Sequence, residues 1–335
     1  MSGTDDKVSN DATTLMALPA RELKQILTER KIDFSDCVEK ADLVQRIIDN
    51  EARAPKITPH KIVEWTKELG GLTCFGVESS KSEEPYKLAL ISCHGFGASK
   101  EDLVPIGRAL VQNQNFPRSL VVCPDGVLSL GGTSRAWWNL DMGDLMMKVL
   151  SGQVDAIFDS DFNGDVQKAR ATVISLIEEV KKLTGLPTSK IVLAGFSQGA
   201  MLMTDVALHL EESPAALVIF SGVLINRSQL RTRASSRKGL KVLQCHGTQD
   251  PLLSFPMAQV LKTFLEKEVE ADLEFVPFQG GHTIDGSGLS KFQQLLTAVA
   301  KIFFGAKTRD REGRLPQGKS PATTNWRVAS VGPHE

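Results

Sequence analysis

Gly195-Phe196-Ser197-Gln198-Gly199 sets a hydroxyl between two glycines. It follows the apolar run Ile191-Val192-Leu193-Ala194 and precedes a helix-like stretch from Ala200 to Leu208. Strand, tight turn and helix, in that order, are the setting in which a G-x-S-x-G pattern presents a serine as a nucleophile. The turn has to be sharp enough to strain the serine backbone. Glycines two residues to either side omit the Cβ atoms that would strike the neighbouring strand and helix. The helix start adds free N–H groups and a partly positive end beside the hydroxyl. The chemistry this predicts is acyl transfer through Ser197. An ordinary βα turn that happens to carry a serine is the alternative reading, and the flanking elements disfavour it.

A hydroxyl is a weak nucleophile until a base takes its proton. On a sheet of this kind the partners follow in the order serine, acid, histidine. Of six histidines, only His282 and His334 lie well beyond Ser197 and a further strand, and His334 sits in a polar tail. His282 occupies Gln279-Gly280-Gly281-His282-Thr283, after the strand-like Leu273 to Phe278 and before the helical pattern from Leu289 to Phe304. It is the expected general base. The acid is expected after the strand-like Leu240 to His246, in Gly247-Thr248-Gln249-Asp250-Pro251. There Asp250, biased toward an extended backbone by Pro251, would orient the imidazole and stabilise the imidazolium. His246 reads as a strand-end packing or hydrogen-bonding residue. Two N–H donors are needed for the oxyanion. Gln198 supplies one. Phe96, in His94-Gly95-Phe96-Gly97-Ala98-Ser99 after the strand-like Leu88 to Cys93, supplies the other. His94 lies too early in the order to be the base and is read as stabilising that loop.

Five segments in this order resemble the phospholipase/carboxylesterase family of α/β-hydrolases, which includes the acyl-protein thioesterases. They are His94 to Ala98, Ala136-Trp137-Trp138, Gly195 to Gly199, His246 to Pro251, and Gly281-His282. The resemblance spans Ile91 to Phe304. It implies an α/β-hydrolase fold, a mostly parallel central sheet flanked by helices. It also implies hydrolysis of carboxylic esters or thioesters through an acyl-enzyme, with no metal and no organic cofactor. Lipidated protein, lysophospholipid and small ester all remain open as substrate. In the resembling family the tryptophan region flanks the active site, so Trp137 and Trp138 are expected to line the substrate groove. Met142, Leu145, Met146, Met147 and Leu150 would suit a deformable acyl surface, or equally a helix packed on the core. Met201, just past the serine, faces the same pocket or the helix core.

Asp159-Ser160-Asp161-Phe162-Asn163-Gly164-Asp165 matches the opening of a calcium-binding loop. Its twelfth position is Arg170, where a bidentate carboxylate is required. The stretch therefore reads as an exposed turn from which Asp165 starts a helix.

The 335 residues suit one hydrolase domain with a small appendage, and a formal net charge of -1 gives no general pull toward nucleic acid or anionic membrane. Cys37, Cys74, Cys93, Cys123 and Cys245 are odd in number and scattered, which favours a reducing, cytoplasmic setting. No apolar run reaches the ~18 residues of a membrane span. The polar start is no signal peptide, and the ends carry no lipidation signal. Residues 1–13 and 307–335 read as disordered, and 51–58 as a linker. Residues 59–306 read as the hydrolase, opening with a helix from Pro59 to Leu69. Within 14–50, helical patterns run from Leu18 to Arg30 and from Glu39 to Ile48. They resemble a small SAP-like domain. Six basic side chains there face seven acidic ones, so a protein partner for residues 14–50 is favoured over DNA. A rival function is a catalytically inactive hydrolase-fold scaffold whose helical module binds that partner. The complete set of Ser197, Asp250 and His282 weighs against it.

Overall fold

The computed structural model describes residues 12–29, 32–37, 39–53, 62–79, 84–113 and 116–304, and the chain divides into two compact units, Met1–Pro59 and His60–Glu335. The tail expected over 307–335, most of the expected linker, and residues 1–11 of the expected N-terminal tail lie outside the described residues.

The first unit contains α1 (Ala12–Ala17), α2 (Ala20–Glu29) and α3 (Lys40–Arg53). The segment expected as one helix from Leu18 begins at Ala20, after a break at Leu18-Pro19. The Pro19 carbonyl accepts from the N–H groups of Glu22 and Leu23. Asp42 caps α3 by accepting from the Glu39 N–H at 2.8 Å. The α3 helix continues to Arg53, three residues into the segment read as linker. Leu15, Leu23, Leu27, Leu43, Val44 and Ile47 close a small core of their own.

The second unit is built on eight strands: β1 (Ile62–Leu69), β2 (Leu72–Ser79), β3 (Leu88–Cys93), β4 (Ser119–Pro124), and β7 (Ile191–Phe196) through β8 (Ala216–Phe220), β9 (Lys241–Gly247) and β10 (Asp272–Phe278). A separate hairpin pairs β5 (Leu128–Gly131) with β6 (Ser134–Ala136). The sheet order is β1-β2-β4-β3-β7-β8-β9-β10. Only the pairings of β2, with β1 and β4, are antiparallel. The remaining pairings are parallel. Strands β3, β4 and β8 are buried throughout, as a sheet covered on both faces requires.

Side chains alternate between the two covers. Ala89, Ile91 and Cys93 join a core closed by α7 (Asp165–Thr184), α8 (Gln198–His209) and α10 (Phe255–Lys267). Leu88 and Leu90 join the opposite core, closed by α4 (Val104–Gln112) and α11 (Gly286–Phe304). Shorter helices α5 (Met142–Leu150), α6 (Val154–Phe158) and α9 (Arg227–Arg233) lie in the connections. This is the mostly parallel, doubly covered sheet that the resemblance implied. Cys74, Cys123 and Cys245 are free and buried, and burial pushes their thiols up to about 12, so they act as small apolar residues.

One expected element is corrected. Residues 62–69 form a strand, not the helix expected over Pro59 to Leu69. Ile62, Trp65 and Leu69 mimic helical spacing, yet Leu69 pairs with Leu72 across Gly70-Gly71, whose φ angles are +59° and +81°. Two positive φ angles in a two-residue loop make a tight hairpin turn, and Gly-Gly supplies them without strain. The calcium-like stretch is a half-buried turn. Asp159 is engaged by Arg227, and the helix begins at Asp165 after Gly164.

Backbones meet at the turn after β7. A Cβ on Gly199 would overlap the carbonyl oxygens of Cys93 and His94, and one on Gly195 would overlap the backbone of Gly199. Gly199→Ala should therefore destabilise toward the upper end of about 1–3 kcal/mol. Gly286→Ala, which faces open space, should be near neutral; urea unfolding midpoints of the two variants test the contrast.

Candidate active site

Ser197 stands at the junction of β7 and α8 with φ 53° and ψ -119°, a conformation that costs a non-glycine residue energy unless its surroundings enforce it. Here they do. Its N–H donates to the Phe220 carbonyl at 2.9 Å, and its own carbonyl accepts from Ala200 and Met201. Gly95 closes over it: a Cβ there would lie 3.0 Å from the Phe196 ring and 3.3 Å from the Ser197 Cβ. The first turn of α8 leaves N–H groups that the helix itself cannot satisfy, and Gln198 carries the first of them. In the loop after β3, Gly97 N–H donates to Arg135 and Ala98 N–H to Gly95. The Phe96 N–H, just before them in the chain, has no protein partner among the described residues. The loop that carries Phe96 thus abuts Ser197, and Gln198 follows the serine as the first residue of α8.

Asp250 and His282 meet on the adjoining strand ends. His282 Nδ1 lies 2.7 Å from Asp250 Oδ2. The loops carrying them are joined by Thr248 N–H to Phe278 O at 2.8 Å and by Gln249 N–H to Gly280 O at 2.9 Å. Gly247 permits this approach, because a Cβ there would overlap the Gly280 and Gly281 carbonyl oxygens. Ser221, at the end of β8, donates its hydroxyl to Thr283 O at 3.0 Å and holds the other side of the histidine loop. The Phe196 ring lies 5.0 Å from the imidazole. Burial raises the proton affinity of Asp250, but hydrogen bonds from His246, His282 and the Leu253 N–H outweigh it and hold the carboxylate well below its usual range.

Ser197 and His282 share one cavity of about 150 Å³, lined also by Gly95, Phe96, Leu140, Leu145, Phe196, Met201, Leu252 and Leu253. Among the described residues the Ser197 hydroxyl makes no direct hydrogen bond to His282; such contacts often tighten only around substrate. Met201 lines the cavity and also packs in the core, so both readings given for it hold a part. Of the Met- and Leu-rich stretch, Leu145 reaches it, whereas Met147 and Leu150 are 64% and 75% exposed. Leu140, Leu252 and Leu253 were not singled out by sequence. The only local signal for the last two was an apolar pair just after Asp250-Pro251.

Trp137 and Trp138 are corrected. They are 1% and 0% exposed and line no part of the cavity. Their backbone is clamped by the buried Gln198 side chain, whose Oε1 accepts from Trp137 N–H at 3.0 Å and whose Nε2 donates to Trp138 O at 2.9 Å. The Trp137 indole N–H donates to His94 O at 2.9 Å. The pair braces the serine turn against the loop after β3. His94 has the loop-holding role expected of it: its Nε2 accepts from Gly126 N–H at 2.9 Å, so the proton resides on Nδ1, 2.7 Å from Gly95 O.

Residues 72–300 match the family model described as Phospholipase/Carboxylesterase. Residues 9–49 match a model described as an E3 ubiquitin-protein ligase rififylin-like domain, and not a SAP domain, the resemblance read from sequence. The chain is 27% identical over 202 residues to acyl-protein thioesterase 1 of Mycosarcoma maydis, covering 56% of this chain and 80% of that protein. It is 25% identical over 191 residues to acyl-protein thioesterase 1 of Cryptococcus neoformans var. neoformans, covering 55% and 74%. Among solved structures, esterase PE8 superposes with TM-score 0.54 at 21% identity, covering 72% of this chain and 98% of that one. SOBER1 of Arabidopsis thaliana gives 0.52 at 19%, covering 63% and 98%. These structural likenesses carry the fold alone.

Burial depresses the pKa of His94, and of His209 near Arg170 and Asp205. The unfolded chain then binds protons that the folded chain refuses, so stability should be greatest above about pH 6.5 and fall as pH drops below it. Urea midpoints across that range measure the fall, and His94→Gln should flatten part of it.

Proposed function

The chain belongs to the phospholipase/carboxylesterase family, and from that premise we propose that it is a serine hydrolase of carboxylic esters or thioesters acting through Ser197, His282 and Asp250. The observation that carries the reading is the strained Ser197 on the wall of a cavity whose wall also holds His282, itself 2.7 Å from the Asp250 carboxylate.

Ser197 Oγ attacks the acyl carbonyl while His282 Nε2 takes its proton. Asp250 keeps the other imidazole nitrogen protonated and stabilises the imidazolium without taking the proton itself. The carbonyl oxygen becomes an oxyanion, received by the N–H groups of Phe96 and Gln198 at the positive end of α8. The tetrahedral adduct collapses, the bond to the leaving oxygen or sulfur breaks, and His282 protonates that atom. Water, deprotonated by His282, then attacks the acyl-enzyme and releases the acid. A ring of leucines with Met201 suits the hydrocarbon part of the acyl group, since water leaving such a surface favours binding. The cavity is small beside the 300–1,000 Å³ of many ligand pockets. The reading therefore favours short to medium acyl chains, held with their carbonyl at Ser197.

For the N-terminal helices the reading is a protein-contact module. It is supported by their near balance of charge and by the rififylin-like match.

Ser197→Ala should lower kcat by at least about 10⁴-fold while leaving the melting temperature within a few degrees. Hydrolysis of a chain-length series of thioesters and matched oxygen esters measures it. Undiminished turnover in that variant, or a rate rising steadily to the longest chains, would overturn the nucleophile or the cavity assignment respectively.

A further inference from the structure

His246 is a buried histidine that the proposed reaction does not use. It is the next-to-last residue of β9 with no exposed surface, and its neighbours include the Phe255 ring at 6.4 Å. Its Nε2 lies 2.7 Å from the Leu253 carbonyl and 3.3 Å from Asp250 Oδ2, while Nδ1 is buried with no partner among the described residues. A carbonyl oxygen only accepts, so the proton is on Nε2, aimed at Leu253 and flanked by the carboxylate. Packing alone would favour an apolar ring here, because an imidazole with one bare nitrogen loses hydration that an apolar group never had.

The turn it grips serves two purposes. Asp250 Oδ1 accepts from the N–H groups of Leu252 and Leu253 at 2.9 Å each. Asp250 Oδ2 faces His282, and the side chains of Leu252 and Leu253 form part of the cavity wall. One end of the four-residue turn is thus the acid and the other end is the wall. His246 touches both ends: the Leu253 carbonyl directly, and the carboxylate through its N–H dipole.

Resting on the triad reading above, we propose that His246 is a positioning residue that couples the carboxylate facing His282 to the shape of the acyl cavity through the Asp250–Leu253 turn. Its N–H competes with His282 for the charge on Asp250 Oδ2. Removing that donor concentrates the charge on His282, favours the imidazolium, and moves the acid limb of kcat/KM to higher pH. Releasing the Leu253 carbonyl lets the leucine wall shift, which alters chain-length preference.

His246→Leu should lower kcat by about 10- to 100-fold, as small misplacements of reacting groups do. It should also raise the acid limb and broaden the chain-length profile on p-nitrophenyl esters. His246→Gln, whose amide reaches Leu253, should restore both readouts; His246→Asn, too short to reach, should not, and this pair decides the matter if the leucine variant does not fold. Leu253→Ala should alter the chain-length profile and leave the acid limb in place. A loss of rate in His246→Leu with both readouts unmoved, or equal behaviour of the Gln and Asn variants, would overturn the coupling. Fluorophosphonate labelling of the wild-type enzyme tests the triad separately: an unlabelled Ser197 would overturn that reading and the coupling with it, whereas a labelled Ser197 with both readouts unmoved would overturn the coupling alone.

Discussion

The site depends on backbones coming closer than a Cβ permits, at four strand ends of one sheet. Gly199 seats the first turn of α8 on the carbonyls of Cys93 and His94, and Gly195 lets the same helix fold back on its own strand. Gly95 lets the loop after β3 close over Ser197, and Gly247 admits the loop that carries His282. None of these glycines takes part in a chemical step. Together they bring the ends of β3, β7, β9 and β10 within side-chain reach of one another. The positive φ of Ser197 follows from the same crowding: the chain can pass between strand and helix only by that turn, and the packing around it enforces the strained conformation.

Around that crowded point the polar groups are satisfied in ways that fix protonation as well as position. His94 is neutral because it donates to one backbone atom and accepts from another in a buried site. Gln198, whose N–H is the expected oxyanion donor, uses its amide side chain to clamp the Trp137–Trp138 backbone. Asp250 stays anionic because donors converge on it from the Leu252 and Leu253 backbone, from His282 and from His246. In a medium of low dielectric each of these contacts is strong, and each would be costly if left half made.

What could be read in the chain beforehand divides along the same line. The serine turn, the two N–H donors and the order of acid and histidine are local patterns or follow chain order; Ser197, Phe96 and His282 lie on one cavity, with Asp250 against His282. Ile62 to Leu69 was misread because three apolar residues at helical spacing outweighed a Gly-Gly pair that specifies a hairpin. Trp137 and Trp138 were misassigned because large rings beside a nucleophile look like a substrate groove, whereas burial against His94 and Gln198 is a long-range property with no periodic signal. Leu140, Leu252 and Leu253 were missed for the same reason: they come from two separate connections and meet Leu145 only in the fold.

That division bears on how such an enzyme selects its substrate. The groups assigned to bond breaking lie in segments whose geometry is fixed by glycine and by backbone hydrogen bonds, so few substitutions there are tolerated. The apolar groups that line the cavity lie just before and on α5, on the turn after Asp250 and on the first turns of α8, and they offer it size and shape alone. Exchanging one leucine for another apolar side chain changes the cavity without touching Ser197, Phe96 or Gln198, so acyl preference can drift while the chemistry stays constant. The exception is the Asp250–Leu253 turn, where wall and acid share one backbone. There a shift of the shared backbone would reach the wall and the acid together, and His246 sits under that join.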